Sequence, residues 1–301
     1  MKKSSKKNSL IQYSILHQAR LFLASGRLVY KTFIYAFLLL FILTVGLMLF
    51  TPEYKSGERL DSSCNVLRVP LHGALLTSPQ YMGDSSSNTN PNSDYSITYS
   101  QELTQTLESA DHNSDIKAVI LDIDSPGGTP VAAEEVSETV SRMGKPVVAL
   151  IRSSGNSAAY FVASAADKIF ASATSDVGSI GVTISYLDNV EKNKKEGLTY
   201  HQLSAGLYKD MLDPDKPLTP AEEKIVVSGL ESARDIFVRA VAKNRHLDES
   251  FVRTLATGQS FTGLEALDNK LIDSIGGIYD VEKYLQSTLG GDIKVCWDNA
   301  R

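Results

Sequence analysis

The sequence predicts an α/β protein, a largely parallel sheet with helices on both faces, preceded by an N-terminal transmembrane helix. Short apolar runs at 118–123, 146–151 and 168–171 alternate with helix-length segments. That alternation is the mark of parallel strands buried on both sides and joined by crossover helices. Separately, residues 32–50 carry no charge and are long enough for one bilayer span.

The N-terminal region is read first. Lys2, Lys3, Lys6, Lys7, Arg20, Arg27 and Lys31 precede the apolar segment, whereas Lys55 and Arg59 follow it among Glu53, Glu58 and Asp61. The excess of basic residues places the N-terminus in the cytoplasm. A cleaved signal peptide fits less well, because its apolar region is shorter and ends in small residues, whereas this one ends Leu47-Met48-Leu49-Phe50. The predicted organisation is a basic cytoplasmic tail (1–31), a transmembrane helix (32–51), a linker (52–63) and an extracytoplasmic domain (64–301). Leu10, Ile11, Ile15, Leu16, Leu21 and Leu23 give the tail amphipathic content suited to an interfacial helix.

Within the domain, residues 66–73 read as a strand ending in a turn, and the Ser/Asn/Asp/Pro-rich stretch 79–96 as a surface loop. A helix is predicted near 98–110, a strand at 118–123, a turn at 124–128 and a helix at about 130–143. A strand at 146–151, a helix from about Ser157 and a strand at 168–171 follow. Thr219, Pro220 and Glu222 mark a helix start by cap, first-turn proline and first-turn acid. That helix runs to about Asn244 with Ile225, Val226, Leu230, Ala233, Phe237 and Val241 on one face. A helical block at 247–257 and a final helix-turn-helix unit complete the chain.

The 301 residues are 43% hydrophobic, ample for a sizeable core, and the net charge of -5 argues against a general nucleic-acid binder. Cys64 and Cys296 both fall in the predicted extracytoplasmic part, where a disulfide is chemically permitted. Their pairing stays open at this level, since spacing does not fix geometry. No His/Cys set at ligand spacing suggests a metal, and no cofactor is expected.

Two contexts bear on chemistry: Ser157 within Ser154-Gly155-Asn156-Ser157-Ala158-Ala159-Tyr160, and Lys209 within Gly206-Leu207-Tyr208-Lys209-Asp210. With Asp124-Ser125-Pro126-Gly127-Gly128, Ala165-Ala166-Asp167-Lys168-Ile169-Phe170-Ala171, Gly178-Ser179-Ile180-Gly181-Val182 and Leu218-Thr219-Pro220, they form an ordered set. Thr262-Gly263, Ala266-Leu267, Leu271-Ile272-Asp273 and Gly276-Gly277 extend it. The set resembles the signal peptide peptidase A (protease IV) family of Ser/Lys peptidases in its short, single-domain form, over most of residues 64–290.

The resemblance implies a ClpP/crotonase-like superfold of repeated β-β-α units with a helical C-terminal part. It also implies a membrane-anchored serine endopeptidase that degrades cleaved signal peptides and other membrane-associated segments. Ser157 would be the nucleophile, at a helix start where small neighbours admit a peptide and the dipole favours developing negative charge; the alternative is a plain helix N-cap serine. Lys209 would be the general base, which requires a lowered pKa and therefore a dry pocket with Asp210 pointing away; the alternative is a solvated surface lysine. Ser179 would orient the lysine amine, or is a turn serine. Gly127 and Gly128 would offer N–H groups as an oxyanion hole. A phosphate cradle lacks its full glycine-lysine pattern.

The family's short form also implies a homo-oligomer with Ser and Lys from neighbouring protomers, acting on peptide substrates at the lipid bilayer. Other serine chemistries fit less well: Ser114-Asp115-Ile116-Lys117 enters a strand, and His72, His112, His201 and His246 lack a partnered Gly-x-Ser-x-Gly. Ala158 and Ala159 stand where family members commonly have glycine, which would narrow the pocket. The rival functions are a catalytically inactive scaffold of the same fold, an acyl-CoA enzyme of the crotonase type, and a stomatin-associated protease with narrower substrates.

Overall fold

The structure is a computed structural model, and it describes residues 37–41, 64–79 and 96–298. The chain divides into two units, residues 1–57 and 58–301. In the first, residues 37–41 are helical and exposed. Among the described residues no helix is long and apolar enough to cross a membrane; apart from those five positions, the expected span lies outside them, as do the basic tail and most of the 79–96 loop.

The second unit is built on a sheet in the order β2-β1-β3-β4-β5-β8. Its strands are β1 (Val66–Leu76), β2 (Ile97–Tyr99), β3 (Ala118–Gly128), β4 (Val147–Asn156), β5 (Lys168–Ala171) and β8 (Ser274–Ile275). β9 (Val295–Trp297) pairs with β1 and β6 (Asp176–Gly178) with β4; these pairs are all parallel, whereas β6 and β7 (Ser260–Thr262) are antiparallel. Side chains along a strand alternate between faces. Leu67, Val69, Leu71, Val119, Leu121, Ile123, Ala149 and Ile151 therefore enter one apolar cluster and Val66, Ala118, Ile120, Val148 and Leu150 another. Burial on both sides is why these strands read as unbroken apolar runs.

The first face is covered by α1 (Ser100–His112), α2 (Pro130–Arg142), α3 (Ala158–Ser164) and the C-terminal part of α5 (Pro220–Arg245). α4 (Val190–Lys195) has no buried residue. α6 (Glu249–Leu255) is capped by the Asp248 side chain, and α7 (Gly263–Asp268) starts with a Thr262/Glu265 capping box. α8 (Ile278–Leu289) covers the second face with Val281 and Leu285. The predicted α/β class and parallel sheet are present.

Three local expectations are corrected. β1 does not stop at Gly73: that residue, at φ 69°, makes an irregularity and the strand resumes, and a Cβ there would lie 1.7 Å from the Ser96 carbonyl oxygen. The segment 124–128 is not a free turn. It continues β3, with Gly127 and Gly128 in register with Ala74 and Leu75. In α5 the predicted apolar face is buried only from Phe237 onward; Ile225 is exposed and Val226 and Leu230 only half-covered. The final unit contains the short strand β8 between its helices.

Cys64 and Cys296 form a disulfide, with Cα atoms 5.8 Å apart. The β1–β9 pairing sets Cys296 opposite Leu67, beside Cys64, which joins the two ends of the domain.

Candidate active site

β4 delivers Ser157 at the centre of the sheet, and α3 starts immediately after it. Every residue of α3 is buried, and Tyr160 anchors the helix by donating its hydroxyl to the Leu271 carbonyl at 2.8 Å. Burial pushes that phenol well above its usual pKa. Ser157 itself stands at φ 50°, ψ −123°, a conformation that costs a non-glycine residue on the order of 1–3 kcal/mol. It persists because both flanks are fixed: the Ser157 N–H donates to the Gly178 carbonyl at 2.8 Å, and the Phe161 N–H donates to the Ser157 carbonyl at 2.9 Å.

Although Ser157 occupies the N-cap position, its side chain does not cap the helix. The hydroxyl has no hydrogen-bond partner among the described residues. It faces a cavity of about 600 Å³ whose walls include Gly128, Ser179, Phe161, Ala233 and Phe237.

Gly127, at φ 121°, lies against the serine: a Cβ there would be 2.8 Å from the Ser157 Cβ. A Cβ on Gly128 would fall 1.9 Å from the Leu75 carbonyl oxygen. Only glycine lets this strand end pass between β1 and Ser157. The Gly127 N–H donates to the Ser125 Oγ at 3.1 Å, and that hydroxyl donates to the Gly73 carbonyl at 2.6 Å. Ser125 thus ties the β1 irregularity to the glycine pair. Sequence reading gave it no role, since the tie depends on two strands pairing through an irregular register.

Ser179, at φ 49°, donates its hydroxyl to the Gly258 carbonyl at 3.0 Å. A donating hydroxyl keeps its acceptor capacity, and Ser179 lines the same cavity as Ser157. Of the two alanines that follow the serine, Ala158 lines the cavity and Ala159 is wholly buried in the core, so only the first methyl bears on its shape.

Lys209 is placed differently. It lies on an arm, residues 181–220, in which no residue is fully buried. Its side chain is exposed, does not line the Ser157 cavity, and makes no ion pair or hydrogen bond among the described residues. The carboxylate of Asp210 is engaged elsewhere, 3.3 Å from the Lys216 Nζ and accepting from the Tyr200 hydroxyl at 3.3 Å. The structure therefore gathers Ser157, Ser179, Gly127 and Gly128 in one place and leaves Lys209 outside it.

His72 belongs to the other face. Its Nε2 is 3.1 Å from the buried Asp122 carboxylate, which also binds Arg68 at 2.9 Å and Arg152 at 3.4 Å. Burial alone would push the Asp122 carboxyl up, but the hydrogen bonds of His72 and Arg68 and the arginine charges outweigh it and hold it below the usual range. His72 is not in the Ser157 cavity. No group of three or more metal-ligating side chains occurs among the described residues.

Residues 140–290 match the model of Peptidase family S49, half of the chain. The candidate signal peptide peptidase SppA of Enterococcus faecium is 34% identical over 177 residues, covering 58% of this chain and 51% of that protein. A candidate protease of Methanocaldococcus jannaschii is 32% identical over 182 residues, 60% of this chain and 58% of its own. Protease 4 of Haemophilus influenzae is 31% identical over 177 residues, 58% of this chain and 29% of that protein. The match thus spans little more than half the length of the first two relatives, and less of the third. A membrane-bound stomatin-specific protease of solved structure is similar at 15% identity and a TM-score of 0.46, over 78% of this chain and 97% of that one.

Proposed function

This chain belongs to peptidase family S49, and on that premise we propose that it is a membrane-anchored serine endopeptidase of ClpP/crotonase-like fold. Its substrates are cleaved signal peptides and other membrane-associated segments. The observation that carries the reading is Ser157: a strained residue at the start of a fully buried helix, with its hydroxyl unused for capping and open to a cavity. Strain of this kind survives where the surroundings over-determine it, and it aims the side chain.

In the proposed reaction Ser157 Oγ attacks the scissile carbonyl while the Lys209 amine, unprotonated, takes its proton and then passes it to the leaving amine. Water reverses the sequence to release the acyl group. Gly128 and Gly127 stabilise the oxyanion through their N–H groups, the Gly127 amide exchanging Ser125 for the substrate oxygen. Ser179 accepts a hydrogen bond from the lysine and turns it toward Ser157.

Lys209 is supplied by a neighbouring copy of the chain. This is supported by the exposed arm, the absence of Lys209 from the walls of its own chain's cavity, and the apolar side chains the arm presents, among them Leu187, Leu203 and Leu207. The uncharged stretch 32–50 anchors the protein with the domain on the extracytoplasmic side, and the Cys64–Cys296 disulfide suits that oxidising side. Apolar substrates fit a site held near a bilayer whose cavity presents Phe161, Phe237 and Ala233.

The test is hydrolysis of a synthetic signal peptide by the full chain in detergent, comparing wild type, Ser157→Ala and Lys209→Ala across about pH 6 to 10. Loss in both variants, with a wild-type rate that rises on deprotonation of a group well below the usual lysine value, is expected. Activity retained in either variant would remove that residue from the mechanism.

A further inference from the structure

We propose that Lys216, anchored by Glu222, is a positioning residue for the catalytic base: it captures the Asp210 carboxylate and so keeps Lys209 unpaired. This rests on the reading of Lys209 as the base. Asp210 is the next residue in the chain, so a Lys209–Asp210 pair is within reach. A carboxylate within about 4–6 Å stabilises an ammonium and raises its pKa. A base needed in its neutral form is then lost tenfold for each unit of about 1.4 kcal/mol.

The arm is organised against that outcome. Lys216 Nζ donates to the Glu222 Oε1 at 2.5 Å and lies 3.3 Å from the Asp210 Oδ1. The three side chains are only 14%, 3% and 9% exposed, respectively, although the arm that carries Lys216 and Asp210 has no fully buried residue. The other Glu222 oxygen accepts from the Thr219 N–H and hydroxyl, both at 2.9 Å, which fixes the cluster to the first turn of α5. The second Asp210 oxygen accepts from the Tyr200 hydroxyl, which also bonds Asp213 at 3.2 Å.

Asp210 is therefore engaged on both oxygens, on Oδ1 by the charge of Lys216, although that buried oxygen accepts no aligned hydrogen bond, and on Oδ2 by the phenol. The charged and titratable groups that face it are Lys216, Tyr200 and Asp213 from the arm and Glu222 from α5. Lys216 is raised above the usual lysine value, first by its bond to Glu222, so it stays a cation over the pH range in which the base must titrate. Two carboxylates brought this close call for a cation between them in a staple and in a guard alike; the guard differs in that losing the cation moves the pH profile of the base.

The experiment measures kcat/KM against pH for the full-length enzyme on a fluorogenic peptide. Lys216→Met is expected to move the acid limb of the profile up by about one pH unit, roughly a tenfold loss below the limb, with the alkaline plateau kept. K216R keeps the wild-type limb, and adding D210N to K216M returns it to the wild-type position or lower. A K216M profile that only scales down without moving, or that D210N does not restore, overturns the proposal. Where K216M fails to fold, Lys216→Gln carries the test: its limb moves up as expected for K216M, and an unmoved limb overturns the proposal. The Lys209→Ala variant separates the two levels. If it is as active as wild type, the base assignment falls and this inference with it; if it is inactive while the limb stays unmoved in K216M, the guard role alone falls.

Discussion

The Ser157 turn and the Lys209 arm stand at opposite extremes of the same domain. Ser157 sits between a central strand and a helix with no exposed residue, and holds a left-handed backbone that only dense surroundings sustain. The arm, residues 181–220, has no fully buried residue and presents Leu203 almost wholly to solvent. One half of the chemistry is thus built by the core of the chain. The other, on the proposed mechanism, is held by a local knot of charges on an arm whose apolar side chains are exposed.

The largest break in that contrast is expected from Ser157→Gly. Hydrolysis falls by roughly 10³-fold or more as the nucleophile is lost, while relief of the strain leaves the thermal midpoint unchanged or higher. Assay and calorimetry on one preparation check both halves, and a lower midpoint would mean that the turn is not strained. Next in size is reduction of Cys64–Cys296, or Cys296→Ser, expected to cost the domain about 2–5 kcal/mol by thermal or denaturant unfolding. An unchanged midpoint would show that the β1–β9 closure carries no stability.

Gly127→Ala is expected to cost about 1–3 kcal/mol, since φ is 121° and the new methyl meets the Ser157 Cβ. Activity should fall with it. Leu203→Ser and Leu207→Ser, by contrast, should change domain stability by less than about 0.5 kcal/mol, since both are exposed, yet reduce activity if the arm docks on a neighbouring copy as proposed. Equal loss of stability would mean that the arm packs on its own domain.

The smallest effect is confined to the arm and depends on pH. The Glu222 carboxyl is held down to about 2, first by the Lys216 hydrogen bond and then by Thr219, against an ordinary value of 4.5. A depressed carboxylate contributes its stability fully above the unfolded value and loses it as pH falls through the folded one. The hydrogen-exchange protection of residues 206–219, relative to the intrinsic rate at each pH, is therefore expected to fall between about pH 4.5 and 2, with that of α3 unaffected.

Much of this contrast was legible in the chain. Ser157 at a helix start, the strands at 118–123 and 168–171 and the start of α5 depend on period and caps, which are local properties. Thr219, Pro220 and Glu222 marked that start as cap, proline and first-turn acid, and in the structure Thr219 and Glu222 close a capping box. What escaped is non-local. Gly127 and Gly128 read as a turn because glycine and proline usually break a strand, yet pairing with Ala74 and Leu75 carries β3 through them. Only pairing across 232 positions brings Cys296 to Cys64. The apolar period of α5 indicated a covered face but not that its first half, at Ile225, Val226 and Leu230, lies open or only half-covered. Lys216 carried no motif at all, since its meaning comes from the fold of the arm around Asp210.

The division of the site between copies is tested most directly by mixing two inactive full-length variants, Ser157→Ala and Lys209→Ala, under conditions that let subunits exchange. If each site takes its serine from one copy and its lysine from the next, equimolar mixing restores roughly a quarter of wild-type activity. A mixture that exchanges subunits and stays inactive would contradict it, and would return Lys209 to its own Ser157.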